Sequence, residues 1–132
     1  MTNRYNQYGQ AAVKATELLT DKKHKSPGDA WDEAIKESTE KENSQNKSCP
    51  RSAFLGLCEA GLVKGVPPGE YLKKSSKKLN KGYAVKAVSK LIENPKLKDN
   101  SPKELWELVI SKAHDSQMDV VLALWEKQKI KR

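Results

Sequence analysis

Cys49 is the residue whose type and setting come closest to nucleophilic chemistry. It stands directly before Pro50, where a helix is predicted to begin, and Arg51 follows two positions later. The positive end of a helix dipole and a nearby cation both favour a thiolate. A nucleophile also needs a base, and neither His24 nor His114 has a sequence relationship to this thiol. We therefore expect Cys49 to cap or to pack, and we expect no catalytic residue.

Residue spacing also argues against metal and acid–base sites. The two histidines and the two cysteines lack the close, paired spacing of a zinc site. General acid–base catalysis needs carboxylates drawn into a cleft, whereas one predicted helix places four of them on its polar face. These four are Asp29, Asp32, Glu33 and Glu37. The seven glycines are scattered and form no phosphate-binding fingerprint. The sequence predicts no metal, no cofactor and no enzyme activity.

Lysine is the residue type that suggests a binding function. The formal net charge is +8, and residues 65–82 carry five lysines against one acidic residue, while the last six residues, "KQKIKR", add four cations. Such clusters bind the phosphate oxygens of DNA or RNA, although simple solvation is a common alternative. The candidate nucleic-acid-binding residues are Arg51, Lys64, Lys73, Lys74, Lys77, Lys78, Lys81, Lys129, Lys131 and Arg132.

Cysteine usage and hydropathy predict a cytoplasmic protein. If the chain between Cys49 and Cys58 is helical, the two thiols lie about 13 Å apart along its axis, which is too far for a disulfide. Reduced thiols fit the cytosol. No apolar run approaches the roughly 18 residues of a membrane span, and "MTNRYNQYGQ" lacks the basic and apolar parts of a secretory signal. We expect no membrane partner.

Two capped helices recur in the chain at a displacement of 75 positions. "SPGDAWDEAI" (26–35) is matched by "SPKELWELVI" (101–110). In each segment a serine can cap the helix and a proline fits its first position. An acidic residue three positions after the serine can reach back to this cap residue. An apolar stripe at helical spacing follows and includes Trp31 or Trp106, which we predict to be core residues, like Trp125.

Two further pairs of segments match in the same order. They are "AAVKATELL" (11–19) with "YAVKAVSKLI" (83–92), and "AFLGLCEAGLV" (53–63) with "VVLALWEKQKI" (120–130). The displacements differ by a few residues, which loops accommodate easily. The sequence therefore predicts an all-α protein made of two tandem, internally duplicated three-helix units, residues 1–64 and 83–132. A basic connector, residues 65–82, joins them, and they pack into one compact domain.

Residues 49–71, "CPRSAFLGLCEAGLVKGVPPGEY", form the most distinctive stretch. Cys58 falls on the apolar face of its helix, Gly61 occupies the position of a left-handed C′ residue, and "GVPPGEY" predicts a rigid turn that displays Tyr71. With "YGQAAV" (8–13) and "SQMDVVLALWEK" (116–127), this stretch resembles an uncharacterised bacterial family with the motif CPRxAFLGLCExGLVKGxPxGxY. The resemblance implies no activity.

A second resemblance, carried by "EAGLVKG" after a third helix, is to the trihelical core of helix-turn-helix DNA-binding proteins. It leads us to predict a non-enzymatic nucleic-acid-binding protein. The presumptive reading helices, 50–60 and 117–127, carry few side chains that read bases, so contacts would be mainly to the phosphate backbone. The alternative is a protein-interaction module or small regulator or inhibitor that uses a groove between the repeats or Tyr71 as an anchor. The oligomeric state stays open.

Overall fold

Helices account for the regular structure in the parts of the chain that the computed structural model describes, which are residues 6–41, 48–72, 78–109 and 117–131. The predicted all-α class is confirmed, since the only β pairing among these residues is one isolated bridge. The helices are α1 (Gln7–Thr20), α2 (Pro27–Ser38), α3 (Ser48–Glu59), α4 (Lys78–Glu93), a 3-10 helix (Pro95–Asp99), α5 (Pro102–Val109) and α6 (Gln117–Glu126).

Helix α6 lies at the centre of the fold. All nine residues from Gln117 to Trp125 are buried, and α1, α3, α4 and α5 pack around them. A helix that is apolar around its whole circumference can be stable in water only when other elements cover it on all sides. Its one acidic residue in this stretch, Asp119, accepts the backbone N–H of Asn6 at 3.0 Å, and burial raises the pKa of this carboxyl.

The predicted capping motifs are confirmed in part. Ser101 and Glu104 form a reciprocal capping box, in which the Ser101 N–H donates to Glu104 Oε1 at 2.8 Å and the Glu104 N–H donates to Ser101 Oγ at 3.2 Å. Ser26 occupies the matching position before α2, and its carbonyl accepts the Ala30 N–H. Its hydroxyl makes no capping hydrogen bond, however. The two helices therefore begin at the predicted residues with different cap chemistry.

All three tryptophans are buried, as predicted. The Trp31 ring lies 5.5 Å from that of Phe54, centroid to centroid, and the Trp106 ring meets that of Tyr83 edge-on at 5.2 Å. Trp125 lies in the centre of α6 and is 2% exposed. Aromatic pairs in these geometries add to the stabilisation that burial alone supplies. Among the described residues no helix is long and apolar enough to cross a membrane.

The predicted internal duplication stays a prediction. The matched helices do not pack alike, because α1 packs closely on α2 and α6, whereas α4 packs mainly on α3 and touches α5 over a small area. The proposed halves are therefore interlocked through the α1–α6 and α3–α4 contacts. Helix α4 also begins at Lys78, inside the stretch 65–82 that was expected to be a connector.

A matched pair of glycine substitutions tests the contact between α3 and α4. A Cβ at Gly56 would lie 2.7 Å from the Cα of Lys81, which is backbone that cannot move aside, whereas nothing lies within 4 Å of a Cβ at Gly82. We expect Gly56→Ala to lower the free energy of unfolding by about 1–3 kcal/mol. Gly82→Ala, on the open side of α4, should raise it by about 0.5–1 kcal/mol. Urea denaturation measures both changes, and equal effects would contradict the packing described.

Candidate functional site

The segments that follow α3 and α6 lie side by side in opposite directions. Lys64 donates its backbone N–H to the carbonyl of Lys129, and Lys131 donates its own to the carbonyl of Leu62, both at 2.7 Å. Val63 and Ile130 stand directly opposite each other between these two bonds. The pairing ties the C-terminal segment of the chain to the middle of the sequence.

The helix ends explain why these segments meet. At the end of α3 the N–H of Leu62 bonds to the carbonyl of Leu57 and that of Gly61 to Cys58, both at 3.0 Å, which is a Schellman motif with left-handed Gly61 as predicted. Helix α6 ends in the same motif, although its left-handed residue is Gln128. Because α3 and α6 pack against each other, the two reversals deliver their chains to one place.

Side-chain alternation then separates the core from the surface. Val63 and Ile130 are both fully buried. Successive side chains of an extended segment alternate between its two sides. Of the four residues that flank this pair, Leu62 is half-buried and packs against the core. The other three are Lys64, Lys129 and Lys131, which we call the lysine face. Lys64 and Lys131 are exposed and Lys129 is half-buried.

The lysine face is not neutralised by any other residue that the structure describes. Lys64 lies opposite Lys129 in the pairing, and like charges in that relationship repel each other. Within the described ranges none of the three ammonium groups forms an ion pair. An anion from outside the chain would relieve the repulsion. The lysine face is therefore a surface suited to binding an anionic partner.

The loop after α1 extends this cationic surface. Thr20 lies so close to Gly65 that a Cβ on the glycine would be 2.6 Å from its methyl group. The loop that follows carries three exposed lysines, and Asp21 is the only acidic residue beside them in "DKKHK". Those lysines are Lys22, Lys23 and Lys25. Together with the lysine face they form what we call the basic end, where α1, α3 and α6 all terminate.

Sequence reasoning missed the three lysines of this loop. The cluster is visible in "DKKHK", but the nine acidic residues of 1–64 nearly cancel its charge in the sum over that segment. Only the contact between Thr20 and Gly65 brings the loop beside Lys64. A count of charges over a few consecutive residues would have found the cluster. Its place at the basic end, however, depends on the tertiary structure.

Arg51 and Lys81 do not join the basic end. Arg51 lies in the first turn of α3, about 12 Å of helix away from the end that leads to Lys64, and its Nε donates to Asp32 Oδ1 at 3.0 Å. Lys81 Nζ donates to Glu59 Oε1 at 2.7 Å. Both cations already have carboxylate partners. The prediction that they bind nucleic acid together with Lys64 therefore has no support in the geometry.

The remaining predicted cations lie where their contacts are not described. Lys78 is in the first turn of α4, and nothing is described for its side chain. Lys73, Lys74, Lys77 and Arg132 lie outside the described residues. Of the ten residues predicted from sequence, the structure therefore brings together three, which are Lys64, Lys129 and Lys131.

The environment of Arg51 is a polar cleft of about 390 Å³ between the start of α2 and the start of α3. Its guanidinium lies against Gly28, where a Cβ would be 2.8 Å from Nη2. Ser26, Ser52 and Tyr71 also line the cleft. Since Asp32 neutralises Arg51, the clearest role of the ion pair is to hold α2 against α3.

Both helices that the sequence offered for reading DNA bases belong to the core. Every residue of α3 from Ser52 to Cys58 is buried, as is every residue of α6 from Gln117 to Trp125. A recognition helix must present an exposed face to the major groove. The helix-turn-helix expectation therefore has no support in these helices, because burying them is what forms the core.

The cysteines and histidines form no catalytic arrangement in the described part of the chain. Both thiols are free; Cys58 is fully buried, which raises its pKa, and Cys49 is half-buried. His24 Nε2 lies 2.9 Å from Glu33 Oε1 on the surface. No group of three or more histidine, cysteine or carboxylate side chains among these residues could hold a metal ion.

Comparison with known proteins places the chain in a family. One family model matches residues 5–131, nearly the whole sequence. The chain belongs to DUF6979, a family of unknown function. Membership of DUF6979 confirms the predicted relation to an uncharacterised family. No curated protein and no solved structure matches this DUF6979 chain significantly. The family name assigns no chemistry to the basic end, so its function must be argued from the geometry.

Glu59 organises the segment between α3 and α4 and offers a test of that geometry. Its Oε2 accepts the backbone N–H groups of Tyr71 and Leu72, both at 3.0 Å, and its Oε1 binds Lys81. The hydrogen bond from Lys81, followed by those from the backbone, lowers the pKa of this carboxyl. A lowered pKa stabilises the fold above the unfolded value of about 4.3, and the contribution is lost as the pH falls through the folded value.

We expect Glu59→Gln to lower the free energy of unfolding by about 1–3 kcal/mol at pH 7, because an amide cannot accept all three bonds. The difference in the free energy of unfolding between the variant and the wild type should be smaller at pH 3, because protonation weakens the hydrogen bonds that the wild-type carboxylate accepts. Urea denaturation at the two pH values measures this. Glu107→Gln, an exposed residue of α5, serves as the control and should change little. A difference that is the same at both pH values would contradict the role assigned to the charge.

Proposed function

We propose that the protein binds nucleic acid through its basic end, by contacts to the phosphate backbone. The observation that carries the proposal is the placement of Lys64 opposite Lys129 with no carboxylate partner for either among the residues that the structure describes. Phosphate oxygens supply the negative charge that this pairing lacks. Lys131 and the three lysines of the α1–α2 loop widen the surface to six ammonium groups.

The chemistry of this surface favours binding without sequence readout. Lysine acts as a flexible point charge, and the planar fork of arginine, which reads guanine edges in pairs of hydrogen bonds, is absent from the described residues of the basic end. The helices that could have entered a groove are buried. Affinity should therefore depend strongly on salt and only weakly on sequence. If all six lysines contact phosphates of duplex DNA, the slope of log K against log salt approaches about −5.

The alternative, a protein partner anchored by Tyr71, has less support. The Tyr71 hydroxyl donates to the carbonyl of Pro67 at 2.5 Å, and its backbone N–H donates to Glu59. Its ring is half-buried against Gly69. The Tyr71 hydroxyl is thus engaged within its own chain, whereas none of the six lysine ammonium groups forms an ion pair in the described ranges. Salt-dependent binding to nucleic acid distinguishes the proposal from this alternative.

A charge-matched pair of triple variants tests the proposal. Lys64→Gln, Lys129→Gln and Lys131→Gln together should weaken binding to labelled duplex DNA about tenfold or more at 50 mM salt and reduce the salt slope by up to about 3, since each lost phosphate contact removes roughly one unit. The control replaces three exposed lysines elsewhere by glutamine, namely Lys96, Lys98 and Lys103. It removes the same net charge and should weaken binding only slightly. Fluorescence anisotropy at several salt concentrations measures both.

Two results would contradict the proposal. One is the absence of wild-type binding at low salt. The other is an equal loss of affinity in the two triple variants, because binding would then follow net charge alone and the basic end would have no special role.

A further inference from the structure

A pocket of about 270 Å³ opens directly beside the lysine face. It lies between the α1–α2 loop and residues 65–67, which continue the chain from Lys64. Three apolar residues line it, of which Val66 is buried, Leu19 is half-buried and Pro67 is exposed. Lys22 and Lys25, both exposed, also line it. The pocket therefore combines apolar walls with two cations.

The backbone around the pocket is held firmly. Gly65 adopts φ +79°, a left-handed conformation that side chains disfavour, and it lies against Thr20 too closely to admit a Cβ. The next residue, Val66, is buried and donates its N–H to the carbonyl of Val63 at 3.2 Å. Pro67 fixes its own φ. The cavity is thus built by the same turn that positions Lys64.

The geometry points to this pocket as the binding site for one unpaired base of single-stranded nucleic acid, with the adjoining phosphates on Lys22, Lys25 and Lys64. This inference rests on the proposed function. A base has a flat apolar face and polar edges, and its neighbouring phosphates are anionic, which matches apolar walls with exposed lysines beside them. His24, whose Nε2 lies 2.9 Å from Glu33 Oε1, adds an imidazole ring to the lining.

The size and position of the pocket favour an unpaired base over a duplex. Its volume lies just below the range of about 300–1,000 Å³ that is typical of small-molecule sites, so it suits a single heterocycle. In a duplex the bases are stacked and paired, and their faces are not available to a protein. The phosphates of a duplex could therefore contact the six lysines, but its bases could not contact the apolar lining residues of the pocket. The pocket predicts a preference for single strands.

Two single strands of equal charge and one duplex test this inference with the wild-type chain. The probes are fluorescein-labelled dT12, an abasic strand of the same length, and the dT12·dA12 duplex, all at 50 mM salt. We expect dT12 to bind about fivefold or more tightly than the abasic strand, because the two differ only in their bases. We expect the duplex to bind no more tightly than dT12, although its two strands carry about twice as many phosphate charges.

Two adjacent prolines supply the matched variants. Pro67 lines the pocket, and its carbonyl contact with Tyr71 survives replacement by alanine, whereas Pro68 lies against Gly61 and outside the lining. Pro67→Ala should reduce the preference for dT12 over the abasic strand to about twofold or less, and Pro68→Ala should leave it unchanged. Circular dichroism checks that both variants fold, and the wild-type comparison stands without them.

The outcomes separate this inference from the proposed function. Equal affinity for dT12 and the abasic strand, with both bindings dependent on salt, overturns the pocket as a base site and leaves backbone binding intact. A preference that Pro67→Ala and Pro68→Ala change equally also overturns it. No binding of any probe removes the proposed function and this inference together. An acidic peptide with a central phenylalanine and unlabelled dT12 are also compared as competitors of the labelled dT12. If the peptide competes more strongly, the pocket binds a protein and the inference is overturned.

Discussion

Burial of α6 is the constraint on which the rest of the structure depends. Nine consecutive residues of this helix are removed from water, and four other helices surround them. Every helix that packs on α6 must turn an apolar face inward, which leaves its polar face to solvent. The requirement extends to the first turn, where Asp119 is buried and is satisfied by the backbone N–H of Asn6. The core of this protein is therefore organised around one element near its C-terminus.

The basic end follows from the same packing. Helices α3 and α6 lie against each other and both end in Schellman motifs, so their exit segments are brought together and can pair. Burial of Val63 and Ile130 between the hydrogen bonds then directs the flanking lysines outward. Repulsion between Lys64 and Lys129 is a cost that the apolar pair offsets, and a phosphate would reduce it further. Stability and binding capacity thus arise from opposite faces of one short pairing.

The pairing also bears on the origin of the chain. Val63 and Ile130 stand 67 positions apart, which is the displacement of the matched segments 53–63 and 120–130. At this displacement Lys64 corresponds to Lys131, and Leu62 corresponds to Lys129. Exchanging the corresponding residues turns the Lys64–Lys129 hydrogen bond into the Lys131–Leu62 hydrogen bond. Every antiparallel bridge relates its two hydrogen bonds in this way, so only the shared displacement of 67 positions agrees with the predicted duplication. The different packing of α1 and α4 does not agree with it, and the duplication stays a prediction.

By itself the sequence determined the all-α class, the order of the six helices in the described residues, the capping box at Ser101 and the left-handed end at Gly61. Those features depend on residues within about one or two helical turns, where spacing and side-chain type act directly. Only the tertiary structure decided which cations are available. Asp32 and Glu59, 19 and 22 positions away along the chain, engage Arg51 and Lys81. The loop after α1 and the C-terminal segment meet Lys64 because the packing around α6 brings distant parts of the chain together, and no local pattern records such contacts.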